Sequence, residues 1–401
     1  MELIRQIFFL HKSKSTIPHY WRTWIIGAVI ATCVALSLYL PKYGQLPAGL
    51  NRDEAALGYN AYSLLKTGKD EWGKSWPISI ASFGDQKLPG YIYTLIPFVA
   101  VFGLETWVVR LPSLIAGLTV IVGMGLIASK LAKLAKYSQK FQLIGSWTVM
   151  ILIAISPWNM HFSRVAYETH LAMAFFVSGL TCWLFALDTT HKFLQRILLI
   201  KAGLLAGLTL LTYHSYQIFT PLFLIALLII FSKKIKKLDK TGLIIGIIFS
   251  LCSVGLLVSG GILQANKIKS QGISPFSNQV LLTKATQYRS VSKFPPIFNK
   301  ILFNKVSEGA ISFAQNYIST FSGTFFFIHG SNHGDHNPGN GNNMHLFLAP
   351  FILLGIIAAG KYHKKASIQL IAAWILLALI PSSLTTNPML EVRLGAVFPI
   401  L

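Results

Sequence analysis

Apolar runs close to the length of a bilayer-crossing helix recur along the whole chain, and they constrain the fold more than any other feature. A helix needs about 17–25 apolar residues to cross the hydrocarbon core. Such runs lie near 24–40, 107–129, 141–157, 171–187, 197–212, 218–232, 242–263, 346–360 and 367–382 of the 401 residues. Within lipid every backbone group must be bonded inside its own segment, which selects helices over open sheets. The pattern therefore predicts an all-α polytopic membrane protein. Composition agrees: 53% of residues are hydrophobic and 12% charged, against about 25% charged in soluble domains.

The formal charge of +22 raises the question of a nucleic-acid partner, since basic chains bind phosphate backbones. The basic residues fall instead into short clusters between apolar runs: "SKLAKLAKYSQK", "HKFLQR", "SKKIKKLDK" and "KYHKK". Short basic loops face the cytoplasm, and a cytoplasmic N-terminus places all four there. Nucleic acid is set aside. Arg5, Lys12, Lys14 and Arg22 precede "WIIGAVIATCVALSLYL", which lacks a small-residue cleavage site and reads as a retained anchor. Cys33, Cys182 and Cys252 each sit inside an apolar run, with no metal or disulfide spacing.

This reading divides the chain into a cytoplasmic N-terminus (1–23), a transmembrane core (24–263) with external loops 41–106 and 158–170, an external loop domain (264–345), and further helices (346–401). "LPGYIYTLIPFVAVFG" (88–103) is apolar enough to count as a span. Counting it would invert every later loop, so it is read as an interfacial or re-entrant helix. Loop 264–345 is rich in Ser, Asn, Gly and Pro and is expected to form a small irregular domain. The last residues, "VRLGAVFPIL", begin another apolar segment, as expected of a chain truncated at its C-terminus.

With 13 acidic residues in all, each acid at the outer face needs a reason. In "NRDEAALGYNAYSLL" (51–65), Asn51 is a good N-cap and Glu54 completes a capping box, while acids in a first turn suit the helix dipole. That structural account competes with a chemical one. Lys87 in "DQKLPGY", Arg164 and Glu168 in "SRVAYETH", and Glu391 and Arg393 in "LEVRLG" lie on the same predicted face. Taken singly they read as a snorkelling lysine, an i,i+4 ion pair worth about 0.3–0.5 kcal/mol and an interfacial anchor. Together they suggest a shared cavity, because ionisable groups at membrane depth mark function. A carboxylate is a general base toward a hydroxyl or amine, and cations stabilise a departing phosphate. That chemistry fits attack on a sugar carried by a lipid phosphate.

"RDEAALGYNAYSLLKTG", "DQKLPGYIYTLIPFVAVFG", "WVVRLPSLIAGLTV" and "FSRVAYETHLAMAFF", in that order, resemble the C-type (GT-C) glycosyltransferases of family 39. The likeness is to dolichyl-phosphate-mannose protein mannosyltransferases and the bacterial aminoarabinose transferases of lipid A. It covers residues 24 to about 187 and extends loosely through "FSGTFFFIHGSNHGDHNPGNG" and "PSSLTTNPMLEVR". The resemblance implies a GT-C transmembrane helix bundle with interfacial juxtamembrane helices in the first external loop. It implies a polyprenyl-phosphate-linked sugar as donor, a lipid, glycan or protein acceptor, and an inverting reaction at the extracytoplasmic face of the plasma membrane. By it, Asp53 is the catalytic carboxylate with Glu54 and Glu168 beside it, and Lys87, Arg164 and Arg393 bind the donor phosphate. The family's Lys-Pro-Pro stretch reads Lys-Leu-Pro here, and Glu168 replaces a more usual aspartate. Tyr59, Tyr213 and His214 are candidates for contacting sugar or acceptor.

"HGSNHGDHNPG" offers His329, His333, Asp335 and His336, with His345 further on. Imidazole and carboxylate suit zinc-like ions, yet the spacing matches no compact ligand motif, and Gly-rich turns use His and Asp for turn chemistry. His333, Asp335 and His336 stay as metal candidates, and whether a divalent ion takes part is left open. A membrane transporter or lipid flippase is the competing function. Transporters show repeated halves with charges near the midplane, whereas this chain has no evident repeat and its charges cluster outside.

Overall fold

A computed structural model describes residues 19–83, 85–260, 278–331, 334, 336–337 and 341–401. The longer helices are α1 (His19–Tyr39), α2 (Arg52–Thr67), α3 (Pro89–Phe102), α4 (Thr106–Leu134), α5 (Gln139–Ile155), α6 (Pro157–Arg164) and α7 (Glu168–Ala186). There follow α8 (Lys192–Leu210), α9 (His214–Ile230), α10 (Lys240–Ser259), α11 (Asn278–Val291), α12 (Lys305–Ser319), α13 (Ala349–Lys361) and α14 (Ala366–Ala378). One antiparallel hairpin, β1 (Ile80–Ser82) and β2 (Asp85–Lys87), pairs Ile80 with Lys87.

Each of the nine apolar runs becomes a helix. Six described helices are long and apolar enough to cross a bilayer, and a seventh span forms if α5 and α6 count as one. The chain bends by 56° between them, where Pro157 removes a backbone donor and clashes with the preceding turn. The protein is thus a multi-pass membrane protein built as a helix bundle.

Contacts at the helix ends define two opposite faces. At one, Gly90 N donates to Leu211 O at 2.8 Å, His214 Nε2 lies 3.0 Å from Gln86 O, and Arg164 donates to Pro41 O at 2.9 Å. At the other, Lys130 and Lys133 donate to Asp188 at 2.9 and 2.7 Å, and Arg196 pairs with Asp239 at 3.0 Å. Burial works against the Asp188 carboxylate, but the hydrogen bonds from Lys133 and Lys130 hold its carboxyl below the usual range. The lysine-rich connections therefore share one face. Both ends of α3 lie at the opposite face: its start against Leu211, and the turn beyond its end where Trp107 packs on Gly44.

Helix contact without a hydrophobic driving force relies on small residues that let backbones approach. A Cβ on Gly203 of α8 would overlap the backbone of Gly246 on α10, and one on Gly207 would overlap Ser253. Phe176, Phe219, Phe223 and Trp374 form an aromatic cluster among α7, α9 and α14. The expected irregular domain at 264–345 differs from what its described residues show, since 278–319 contains α11 and α12. Asn304 caps α12 with Ser307 in a capping box, and that short polar signal is easily read as loop.

The close backbone contact makes a test. Gly203→Ala is expected to cost about 1–3 kcal/mol through overpacking. Gly255→Ala on α10, with open space around it, is expected to stay within about 0.5 kcal/mol. Thermal unfolding in detergent reads both.

Candidate active site

The start of α2 sets the geometry. Asn51 Oδ1 accepts from Glu54 N at 2.9 Å, and Glu54 Oε2 accepts from Asn51 N at 3.1 Å, a complete capping box. Glu54 then does more. Arg110, four residues into α4, donates Nε to Oε1 at 2.8 Å and Nη2 to Oε2 at 3.0 Å. Ala166 N donates to Oε1 at 2.8 Å. Both side chains are 1% exposed. Four donors surround this carboxylate, so a reacting group reaches it only by displacing Arg110 or a backbone N–H.

Arg110 also donates to Pro47 O at 3.0 Å and Gly49 O at 2.6 Å. Arg164 donates to Tyr39 O, Pro41 O and Leu46 O. Two guanidinium groups thus bind the carbonyls of the connection between α1 and α2, a use suited to their forked donors. Tyr43 lies in that connection, and burial pushes its phenol well up despite the two nearby arginines.

One residue before Glu54, Asp53 points elsewhere because successive helical side chains diverge by about 100°. Lys87 Nζ lies 3.1 Å from Asp53 Oδ1 and 3.4 Å from Glu168 Oε1. The lysine is 7% exposed while Asp53 is 43% exposed, so the cation sits beneath a carboxylate that faces outward. Lys87 ends β2, held by the hairpin register, and the carbonyl of the residue before it, Gln86 O, is met by His214. Glu168 opens α7, where the helix N-terminus favours negative charge.

The structure thus brings Asp53, Lys87 and Glu168 together from three separate elements. It does not form the expected Arg164–Glu168 pair. The helix breaks at 165–167, with Val165 and Tyr167 extended, and the two side chains turn to different partners. Arg164 is occupied by loop carbonyls rather than open to a phosphate. Arg393 donates Nη1 to Thr385 Oγ1 and Asn387 O at 2.8 and 2.9 Å. Tyr59 lies on the exposed side of α2, and Tyr213 caps α9 beside His214. Glu391 is fully buried and accepts from Ser331 N at 2.6 Å and Asn343 Nδ2 at 3.3 Å. Of the metal candidates, His333 and Asp335 lie outside the described residues, and His336 packs its ring on Tyr167 at 5.6 Å. Arg110 was not anticipated, although an arginine within an apolar run of so greasy a chain is itself a signal.

Arg110→Met strands the Glu54 carboxylate, and removing one partner of a buried pair costs about 3–5 kcal/mol. The double variant with Glu54→Gln is expected to recover part of that loss in a thermal-unfolding cycle.

No family model matches the chain, and no curated protein matches its sequence. Its fold matches solved structures. The oligosaccharyltransferase AglB of Archaeoglobus fulgidus, in complex with an inhibitory peptide and a dolichol-phosphate, aligns at 13% identity and TM-score 0.53, over 96% of this chain and 50% of that one. The same oligosaccharyltransferase in complex with Zn and sulfate aligns at 14% identity and TM-score 0.54, over 94% and 48%. ArnT of Cupriavidus metallidurans bound to undecaprenyl phosphate aligns at 12% identity and TM-score 0.50, over 96% and 59%. The chain spans about half the length of the oligosaccharyltransferase. At these identities the likeness is one of fold, and this chain carries the GT-C fold.

Proposed function

We propose that this protein is a membrane-embedded glycosyltransferase that moves a sugar from a polyprenyl-phosphate donor to an acceptor, with inversion. The observation that carries this reading is Lys87 Nζ held between Asp53 and Glu168 at the end of an apolar bundle. With the lysine-rich loops cytoplasmic, the N-terminus is cytoplasmic and this cluster faces the outside of the plasma membrane.

In the reaction, the acceptor oxygen forms its bond to the anomeric carbon while its proton passes to the outward-facing carboxylate of Asp53. The bond from that carbon to the phosphate oxygen breaks, and polyprenyl phosphate leaves with the electron pair. Lys87 balances the growing charge on the phosphate, a preorganised electrostatic role. Glu168 positions Lys87. Glu54 is assigned a positioning role through Arg110 and the helix cap, and Arg164 a role in holding the α1–α2 connection. Arg393 has donors beyond its two protein partners to offer a phosphate. Tyr59, Tyr213 and His214 remain candidates for the sugar or acceptor side.

An apolar cavity of about 240 Å³ between α7, α8, α9 and α10, lined by Phe176, Ala202, Phe223 and Leu227, suits the hydrocarbon of a lipid donor. A metal ion fits the described residues less well. Among them no three His, Cys, Asp or Glu side chains converge, and the ammonium of Lys87 takes the place between the two carboxylates that a cation would need.

The test uses proteoliposomes, a panel of labelled polyprenyl monophosphate sugars, and a mixed acceptor extract. Asp53→Asn is expected to lower transfer about 10²–10⁴-fold, the usual contribution of a general base, in protein that still folds because Lys87 keeps Glu168. Equal transfer by Asp53→Asn and wild type would remove Asp53 as the base. Absence of transfer with every donor would reject the reading.

A further inference from the structure

The stretch 291–306, joining α11 to α12, turns large apolar side chains outward outside the spanning helices. Val291, Phe294, Ile297, Phe298, Ile301 and Val306 are each more than half exposed, Val291 at 74% and Ile297 at 71%. Exposed apolar side chains grouped in this way mark interaction sites. The stretch is not loose chain. Arg289 Nε donates to Phe303 O at 2.6 Å, Tyr288 stacks on Phe303 at 5.8 Å, and Asn299 Nδ2 donates to Phe294 O at 2.9 Å. One side of this elbow is therefore bonded to its own hairpin, and the other is left open.

Two further observations say what covers it. From Arg289 to Ser307 the chain carries Arg289, Lys293, Lys300 and Lys305 and no acid. The base of the same hairpin, at the other end of α12 from the elbow, is tied to the end of a spanning helix. Tyr317 OH donates to Leu376 O in the last turn of α14 at 2.9 Å, and Asn316 Nδ2 donates to Ser383 O and Thr385 O at 3.0 and 2.9 Å. That end of α14 belongs to the face holding Asp53 and Lys87. Large apolar side chains interleaved with lysines match an element lying in the headgroup layer.

We propose that residues 291–306 form an amphipathic elbow seated in the lipid leaflet on the active-site face. Its phenylalanine and isoleucine side chains enter the acyl region, and Lys293 and Lys300 meet lipid phosphates. This assignment stands apart from the catalytic reading, since it rests on exposure and charge in a different segment.

Spin labels test it directly. In a background of Cys33→Ala, Cys182→Ala and Cys252→Ala, labels are placed through Ile297→Cys or Ile301→Cys, with Gln287→Cys as the control. The full chain is reconstituted in vesicles of phosphatidylethanolamine and phosphatidylglycerol. Collisions with oxygen are expected to exceed those with a water-soluble nickel chelate at 297 and 301, and to fall below them at 287. Chelate-dominated collisions at 297 and 301 would place the elbow in water and overturn the proposal. Low collision with both reagents would mean that protein covers it, which also overturns it. Should either variant fail to fold, Phe298→Cys and Val306→Cys carry the same reading.

Discussion

The buried pair of Glu54 and Arg110 is the interaction on which the rest of the site depends. Taking two charges out of water is expensive, and the attraction repays it only when the remaining donors and acceptors are also satisfied. Here they are. The carboxylate takes two guanidinium bonds and two backbone bonds, and the guanidinium also binds two loop carbonyls. The partners come from α2, α4, the α6–α7 break and the α1–α2 connection. One ion pair therefore fixes four pieces of chain against each other. Asp53 inherits its direction from that anchor, since it precedes Glu54 on the same helical turn.

The second constraint is how the cluster is assembled across the bundle. Lys87 arrives on a short hairpin, Asp53 on α2 and Glu168 on α7. None of these elements is a full span carrying charge at mid-depth. The charged cluster sits at the ends of apolar helices rather than within them. The opposite face is built differently, with Lys130, Lys133 and Arg196 paired to Asp188 and Asp239.

Much of this was legible in the sequence. The nine apolar runs gave the helices, and Asn51 with Glu54 marked the start of α2. The gathering of Asp53, Lys87 and Glu168 followed from placing their loops on one face. Three features were hidden for physical reasons. "SRVAYETH" contains no glycine or proline, so nothing announced the break that separates Arg164 from Glu168. Arg110 sits in an apolar run, where a lone cation is easily passed over as an anchor. The helices at 278–319, the second capped by Asn304, are diluted by polar residues, so their apolar face does not show as a long run.

The central claim is that the Lys87 ammonium, held by Asp53 and Glu168, receives the phosphate of a polyprenyl lipid. Solid-state NMR on proteoliposomes containing undecaprenyl phosphate and protein with ¹⁵N-labelled lysine side chains tests this most directly. The account predicts dephasing of the lipid phosphorus by a lysine nitrogen at charge-assisted hydrogen-bond range, about 2.7–2.9 Å from nitrogen to oxygen, and its loss in Lys87→Gln. Dephasing that survives Lys87→Gln, or none in the wild type, would contradict it.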